Sequence, residues 1–125
     1  MVLGPQVDHF TDIGIHTFLN SKFTASSRID RWAYRFEGSV IAHSEKGADI
    51  ISDGIALGAV QVPADGNPIV FMSDRPTTGG YSKIATVISV DISKIAQMKT
   101  GDQVQFKKID IEEARKIFKD REQFF

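Results

Sequence analysis

The feature that most constrains the fold of this chain is its succession of short apolar runs, separated by turns rich in Gly, Asp and Asn. Residues 31–37 show the pattern most clearly, because Trp32, Tyr34 and Phe36 alternate with charged or small residues. Such alternation predicts a strand with one buried, aromatic face. Ala64–Asn67 predicts a tight turn, since its Asp-Gly pair supplies the positive φ that hairpins need.

Comparable signals recur along the chain and predict five further strands. They cover residues 48–52, 59–62, 68–73, 83–90 and 103–108, with turns at Asp53-Gly54 and Gly58. Three helices are predicted from their N-cap residues, which are Thr11, Asp91 and Asp110. We expect the apolar residues of these helices and of the last strand to point inward. They are Ile15, Phe18, Leu19, Ile92, Ile95, Val104, Phe106, Ile111, Ala114, Ile117 and Phe118. Short strands with only short helices favour a mainly β fold, a closed or nearly closed β-barrel with helical plugs.

Length and composition limit the classes of function. The 125 residues predict a single domain that spans the whole chain. Fifteen Lys and Arg against sixteen Asp and Glu give a formal net charge of −1, so no overall field favours nucleic acid or a membrane surface. The chain has no Cys, which excludes disulfides and thiolate metal sites. No apolar run approaches the ~18–20 residues of a membrane span and no signal peptide is recognisable, so we expect a cytoplasmic protein.

The densest group of chemically unusual residues is the segment 73–81, which we expect to be a loop. Pro76 restricts Arg75 to an extended conformation, and Gly79-Gly80 could turn backbone N–H groups toward one point, as in an anion-binding nest. The other candidate groups are the side chains of Asp74, Thr77, Thr78 and Tyr81. Such a loop suits a small substrate that carries a carboxylate or an activated carbonyl. A plain β-turn with a solvated ion pair explains the same residues.

Two further groups could contribute to a binding site. Arg31 and Arg35 share a strand face ~13 Å apart and could clamp an acidic ligand, although an exposed basic face is the simpler interpretation. Gln61 could present its amide to a ligand, although residues 61–68 are explained by a stiff hairpin turn alone. The three histidines have no metal-ligand spacing, and neither a Gly-x-Ser-x-Gly motif nor a P-loop is present. No metal or cofactor is therefore predicted for this chain.

In this order and spacing, the motifs resemble the KipA family, also described as the C subunit of 5-oxoprolinase or as allophanate hydrolase subunit 2. The matching stretches are Leu3–Gln6 with Phe10-Thr11, Arg31–Gly38, Ala48–Gly54, Gln61–Pro63 with Asp65-Gly66 and Pro68-Ile69, Asp74-Arg75 with Thr77–Tyr81, and Gly101–Phe106. The chain departs from the family pattern at Trp32-Ala33, where Met-Gly is usual, at Pro76, where Gln is usual, and at Ser82, where Pro is usual.

The resemblance implies a cyclophilin-like closed β-barrel with two or three short helices. It also implies a subunit of an ATP-dependent 5-oxoprolinase, which opens 5-oxoproline to glutamate with a KipI-like sister subunit and a third subunit. Family members are more than twice as long, so the chain is expected to match their C-terminal half and to lack the N-terminal half. We therefore expect the isolated chain to be inactive, and the ATP to be used by the whole complex.

On this interpretation the candidate residues take defined roles. Catalytic roles fall to Asp74, Arg75, Thr77 and Thr78, and substrate binding to Arg31, Arg35, Gln61, Gly79, Gly80 and Tyr81. One alternative is a regulatory binding module, a KipA-type antagonist of a histidine-kinase inhibitor. Another is a carboxyltransferase or allophanate hydrolase-related domain of urea metabolism. Prolyl isomerase activity would follow from the fold alone and ranks last.

Overall fold

A computed structural model of the chain describes residues 1–4, 6–29, 32–72, 75–76, 78–109, 112–113 and 115–116. A 3-10 turn at Val7–His9 precedes the first helix. The helices are α1 (Asp12–Asn20) and α2 (Ser89–Ala96). The strands are β1 (Val2–Leu3), β2 (Phe23–Ile29), β3 (Ala33–Glu37), β4 (Asp49–Gly54), β5 (Ala59–Gln61), β6 (Ile69–Phe71), β7 (Thr78–Tyr81), β8 (Lys83–Thr86) and β9 (Gln103–Val104).

The strands form one large antiparallel sheet and one small one. Seven strands lie in the order β1-β8-β5-β6-β3-β2-β9, and the remaining two, β4 and β7, pair with each other in what we call the ribbon. The edges of the large sheet approach each other, because the Met1 amine donates to Lys107 O (2.9 Å) and Ile109 N donates to Met1 O (2.8 Å). The mainly β fold is confirmed, with the large sheet curled into a half-barrel.

The main core fills the concave side of this sheet. Alternate strand residues, among them Tyr34, Phe36, Val60 and Val70, point into it. Helix α1 closes the barrel with Phe18, whose ring stacks on that of Phe106 with centroids 4.6 Å apart. The predicted inward positions that the structure describes, on α1, on α2 and in 103–108, all belong to this core or pack against it, so these predictions are confirmed.

Helix α1 begins as its N-cap predicts and passes very close to a neighbouring segment. The Thr11 side chain accepts a hydrogen bond from Gly14 N (2.9 Å), which satisfies one donor of the first turn. Glycine usually weakens a helix, but here a Cβ on Gly14 would lie 2.2 Å from Ala42 O. The absence of a side chain at Gly14 therefore allows the helix to pack against that backbone.

Several local predictions are wrong because tertiary pairing overrides local preference. Asp53-Gly54 is not a turn but the end of β4, where it pairs with Gly79 and Thr78. Strand β8 ends at Thr86, and the apolar residues after it begin α2, whose N-cap is Ile88 and not Asp91. A short apolar run does not distinguish a strand from a helix by periodicity. The strands β2 and β7 are not predicted from the sequence.

The predicted start of the last helix lies largely outside the described residues. The described residues do not include the predicted cap and inward residues of this helix, which are Asp110, Ile111, Ala114, Ile117 and Phe118. Residues 112–113 and 115–116 are described and are helical. Within the described residues, no helix is long and apolar enough to cross a bilayer.

The close approach at Gly14 gives a stability prediction. Gly14→Ala should lower the free energy of unfolding by about 1–3 kcal/mol, because the new methyl group would overlap a backbone carbonyl that cannot rotate away. The matched control is Gly54→Ala, whose Cβ would meet nothing within 4 Å and should change stability by less than about 0.5 kcal/mol. Urea denaturation of the two variants measures the difference, and equal midpoints would contradict the packing argument.

Candidate functional site

The convex side of the large sheet, which we call the outer face, carries a second apolar cluster. This outer cluster consists of Ala33, Ile55, Ala59, Ile69 and Phe71. The four of these residues that lie in strands, all except Ile55, alternate with residues of the main core, so both sides of the central strands are covered there. The residues of the outer cluster are therefore shielded from water in the same way as residues of the core.

Trp32 belongs to this outer side and does not point inward as predicted. It packs against the outer cluster, with its ring centroid 6.2 Å from that of Phe71. The guanidinium carbon of Arg35 lies 5.4 Å from the centroid of the Trp32 ring, at cation–π distance. The alternation fails because β3 begins at Ala33, so Trp32 precedes the pleated segment.

Cross-strand register places four residues in one row on the outer face. Arg35 pairs with Ile69, Ile69 pairs with Gln61, and Gln61 pairs with Lys83. Directly opposed residues on antiparallel strands point to the same face. Two strand spacings of ~4.8 Å separate the backbones at Arg35 and Gln61, so they share a face without direct contact.

The ribbon packs on this row at Gln61, through Gly79. Gly79-Gly80 lies within the strand β7, and neither glycine has the positive φ found at Gly47, Gly58, Gly66 and Gly101. The predicted anion-binding nest is therefore wrong. A Cβ on Gly79 would lie 2.7 Å from Ile55 Cδ1 and 2.8 Å from Gln61 Nε2. A side chain at position 79 would therefore displace the Gln61 amide or Ile55, because the ribbon packs directly onto both.

Arg75 joins the same group of residues through Ile55. Its Nε donates a hydrogen bond to Ile55 O (2.9 Å), and its backbone N donates to Met72 O (3.1 Å). Ile55 is also the residue that Gly79 contacts. Gly79 thus lies next to both Gln61 and Ile55, and Arg75 reaches the same place through the Ile55 carbonyl, so the three predicted residues belong to one local site.

The other predicted residues are placed as follows. Thr78 is exposed at the start of β7, where it pairs with Gly54, and Gly80 is half-buried. Tyr81 pairs with Asp49 at the other end of the ribbon and is 43% exposed. Arg31, Asp74 and Thr77 lie outside the described residues, so their predicted roles stay predictions.

The site contains a buried polar pair, of which the sequence predicts only one member. Gln61 is 2% exposed, and its Nε2 finds no acceptor among the residues described. An unsatisfied buried amide costs about 1–3 kcal/mol. Lys83 is 5% exposed and is the one charged side chain buried within the described ranges. A Lys inside the apolar run 83–90 is the signal that could have identified it.

Two cavities lie elsewhere on the molecule. The larger, about 410 Å³, is bordered by Met1, by α2 and by the segment 103–109. The smaller, about 60 Å³, lies beside Arg35, Arg28 and Asp65, and has the size for a few water molecules. Neither is lined by Gln61, Gly79 or Arg75. In the part of the chain that the structure describes, no three His, Asp or Glu residues are grouped so that they could hold a metal ion.

Known proteins resemble this chain both in sequence and in fold. The C subunit of 5-oxoprolinase from Escherichia coli (strain K12) is 35% identical over 122 residues, which are 98% of this chain and 39% of that protein. Its counterpart from Haemophilus influenzae is 39% identical over 97 residues, which are 78% of this chain and 31% of that protein. The chain therefore spans well under half the length of either protein.

The fold is shared with a larger enzyme. The crystal structure of the Kluyveromyces lactis urea carboxylase superposes with a TM-score of 0.90 over 98% of this chain and 12% of that chain, at 23% identity. The family model of the carboxyltransferase domain, subdomain A and B, matches residues 1–108. The resemblance to the 5-oxoprolinase subunits that the motifs indicate is confirmed. This chain belongs to the family of the carboxyltransferase domain, subdomain A and B.

Proposed function

We propose that this chain is part of an ATP-dependent 5-oxoprolinase, which opens 5-oxoproline to glutamate. The observation that carries the proposal is the 35% identity with the Escherichia coli 5-oxoprolinase subunit over 98% of this chain. Because the chain covers 39% of that protein, the remaining part of the subunit would have to be supplied as well. The partners would be that N-terminal half, a KipI-like sister subunit and a third subunit, in a cytoplasmic complex. The isolated chain would be inactive.

The proposed reaction needs groups that hold the lactam and stabilise developing charge. Ring opening breaks the lactam C–N bond as water adds to its carbonyl carbon, so negative charge develops on the carbonyl oxygen. Preorganised N–H and O–H donors stabilise such charge most effectively where water is excluded. ATP consumption by the complex would drive the ring opening. The residues of this chain would bind and orient the substrate.

The grouping around Ile55 supports this assignment of roles. Gln61 and the Gly79 backbone would present N–H groups, and Thr78 would add its hydroxyl. Gly80, Thr77 and Tyr81 would take part in the same contacts with the substrate. Arg75 carries five N–H donors, so it can keep its bond to Ile55 O and still contact a substrate anion. We place Asp74 as the residue that orients an arginine. Arg35 lies about two strand spacings from Gln61. Together with Arg31, it would bind an acidic group at that distance from Gln61.

The proposal is tested by reconstitution. Co-expression of this chain with a candidate N-terminal half and both partner subunits should give ATP-dependent release of glutamate from 5-oxoproline. Omission of this chain, or of ATP, should abolish the release. Glutamate release that is equal with and without this chain would overturn the proposal.

The neighbouring glycines of β7 provide a matched pair of variants. Gly79→Ala should lower kcat/KM about tenfold or more, because its methyl group would displace the Gln61 amide from its position. The contacted atoms are tips of flexible side chains, so stability should fall by only about 1 kcal/mol. Gly80→Ala keeps the backbone N–H through which Gly80 would bind substrate, and its methyl group would lie at an ordinary 3.6 Å from Ile50 O, so activity should stay within about twofold. If both variants had the same activity, the Gln61 amide would have no part in turnover.

A second candidate is a carboxyltransferase part of a urea-carboxylating enzyme. The family model that matches residues 1–108, which describes a carboxyltransferase domain, favours it. The same reconstituted complex distinguishes the two candidates when urea with bicarbonate replaces 5-oxoproline. ATP consumption that depends on urea, and not on 5-oxoproline, would favour this second function.

A further inference from the structure

The large sheet leaves a seam between its two edge strands. Strand β1 lies at one edge and β9 at the other, and no pairing between these two strands is found within the described residues. Beyond β9 the edges are joined at Met1, whose amine donates to Lys107 O and whose carbonyl accepts from Ile109 N. The sheet is therefore not closed by a continuous ladder, and the core at the seam needs another element to cover it.

The larger cavity, about 410 Å³, lies at this seam, between α2 and the segment 103–109. Four apolar side chains that border it are only half-buried, namely Ile88, Met98, Val104 and Ile109. We call the space between these four residues the seam groove. Contiguous apolar surface that stays open to water usually marks a place where another segment or molecule binds.

The chain leaves the barrel beside the seam groove and continues into a helical segment. Residues 112–113 and 115–116 are helical, and the side chains of all four are exposed. With 3.6 residues per turn, these four positions lie on one side of a helix. A helix continued to residue 118 would carry apolar residues on the opposite side, namely Ile111, Ala114, Ile117 and Phe118. The exposed side of the described residues thus directs this apolar side toward the barrel.

We infer that the seam groove is the docking site of this C-terminal helix, whose apolar side enters the groove. The helical residues begin close to it, because three peptide units from Ile109 to Glu112 span at most about 11 Å. The inference does not depend on the proposed function. It implies that this end of the molecule presents other subunits with the charged side of a helix, and not with an apolar groove.

Charge and tethering both favour this occupant. The charged groups of the groove lie at its rim, where Asp91 pairs with Lys94 (3.3 Å) and Lys107 is exposed, so the walls themselves are apolar. Apolar walls suit an apolar helix side better than a charged ligand. A segment attached directly to the groove also has a high effective concentration there, in the millimolar range for short linkers, which a second copy of the chain lacks.

The first test compares the two sides of the helix by thermal unfolding of the full chain. Phe118→Ser should lower the melting temperature by about 8 °C or more, because an aromatic side chain would be lost from the groove. The matched control is Lys116→Ser on the exposed side, which should lower the melting temperature by less than about 3 °C. Equal melting temperatures of the two variants would overturn the inference.

The second test measures proximity and tolerates a loss of stability. The chain has no Cys, so an introduced pair can form only one disulfide within it. Ala114→Cys is combined with Met98→Cys on one wall of the groove, or with Val104→Cys on the other. The control places the first cysteine on the exposed side instead, as Lys116→Cys with the same two partners.

Disulfide formation under mild oxidation is followed by electrophoresis without reductant. With at least one of the two partners, the cysteine at position 114 should form an intramolecular disulfide about tenfold faster than the cysteine at position 116. Equal rates at the two positions would show that the segment does not dock, and would overturn the inference. Disulfides that form mainly between two chains would assign the groove to a second copy and would overturn it as well.

Discussion

The close packing of the ribbon on the outer face of the large sheet is the constraint on which the candidate site depends. The strands β3, β5 and β6 already cover the main core with one side. The outer cluster covers the other side of these strands, and the ribbon packs on Gln61 beside it, so this part of the outer face is an interior of its own. Gln61 and Lys83 would be ordinary exposed residues without this cover. With it, they are polar groups inside a protein, where hydrogen bonds and charges act strongly.

Much of the fold follows from local signals in the sequence. The sequence predicts the Thr11 cap, the inward Phe18 of α1 and the buried Phe106, because one side of each segment meets water and the other meets the core. The two strands of the ribbon cannot be predicted from such local signals. Its strands are 24 or more residues apart in sequence, and each contains residues that locally favour turns, Asp53-Gly54 in β4 and Gly79-Gly80 in β7. Only their pairing in three dimensions makes them strands.

The candidate site shows the same division between local and tertiary information. The sequence identifies Gln61, Gly79 and Arg75 as unusual, and the structure brings them together around Ile55. The reason given for Gly79 is nevertheless wrong, since the residue provides room for an amide and not a left-handed turn. Lys83 is missed because β8 is covered on both sides. A strand of that kind lacks the alternation that assigns each residue to a face.

Burying the Gln61 amide without an acceptor among the described residues for its Nε2 opposes stability, and the close packing over this amide explains why its cover is made of glycine. A Cβ at position 79 would lie 2.8 Å from Gln61 Nε2, so any side chain there would have to displace the amide. Glycine lets the backbone of the ribbon approach closely enough to exclude water from the Gln61 amide. Ser82 contributes to the same arrangement, because its N donates to Ala48 O (2.7 Å) and ties the end of the ribbon to the start of β8. The position of Lys83 is thus set from both directions, by a bulge within its own strand and by the ribbon anchored next to it.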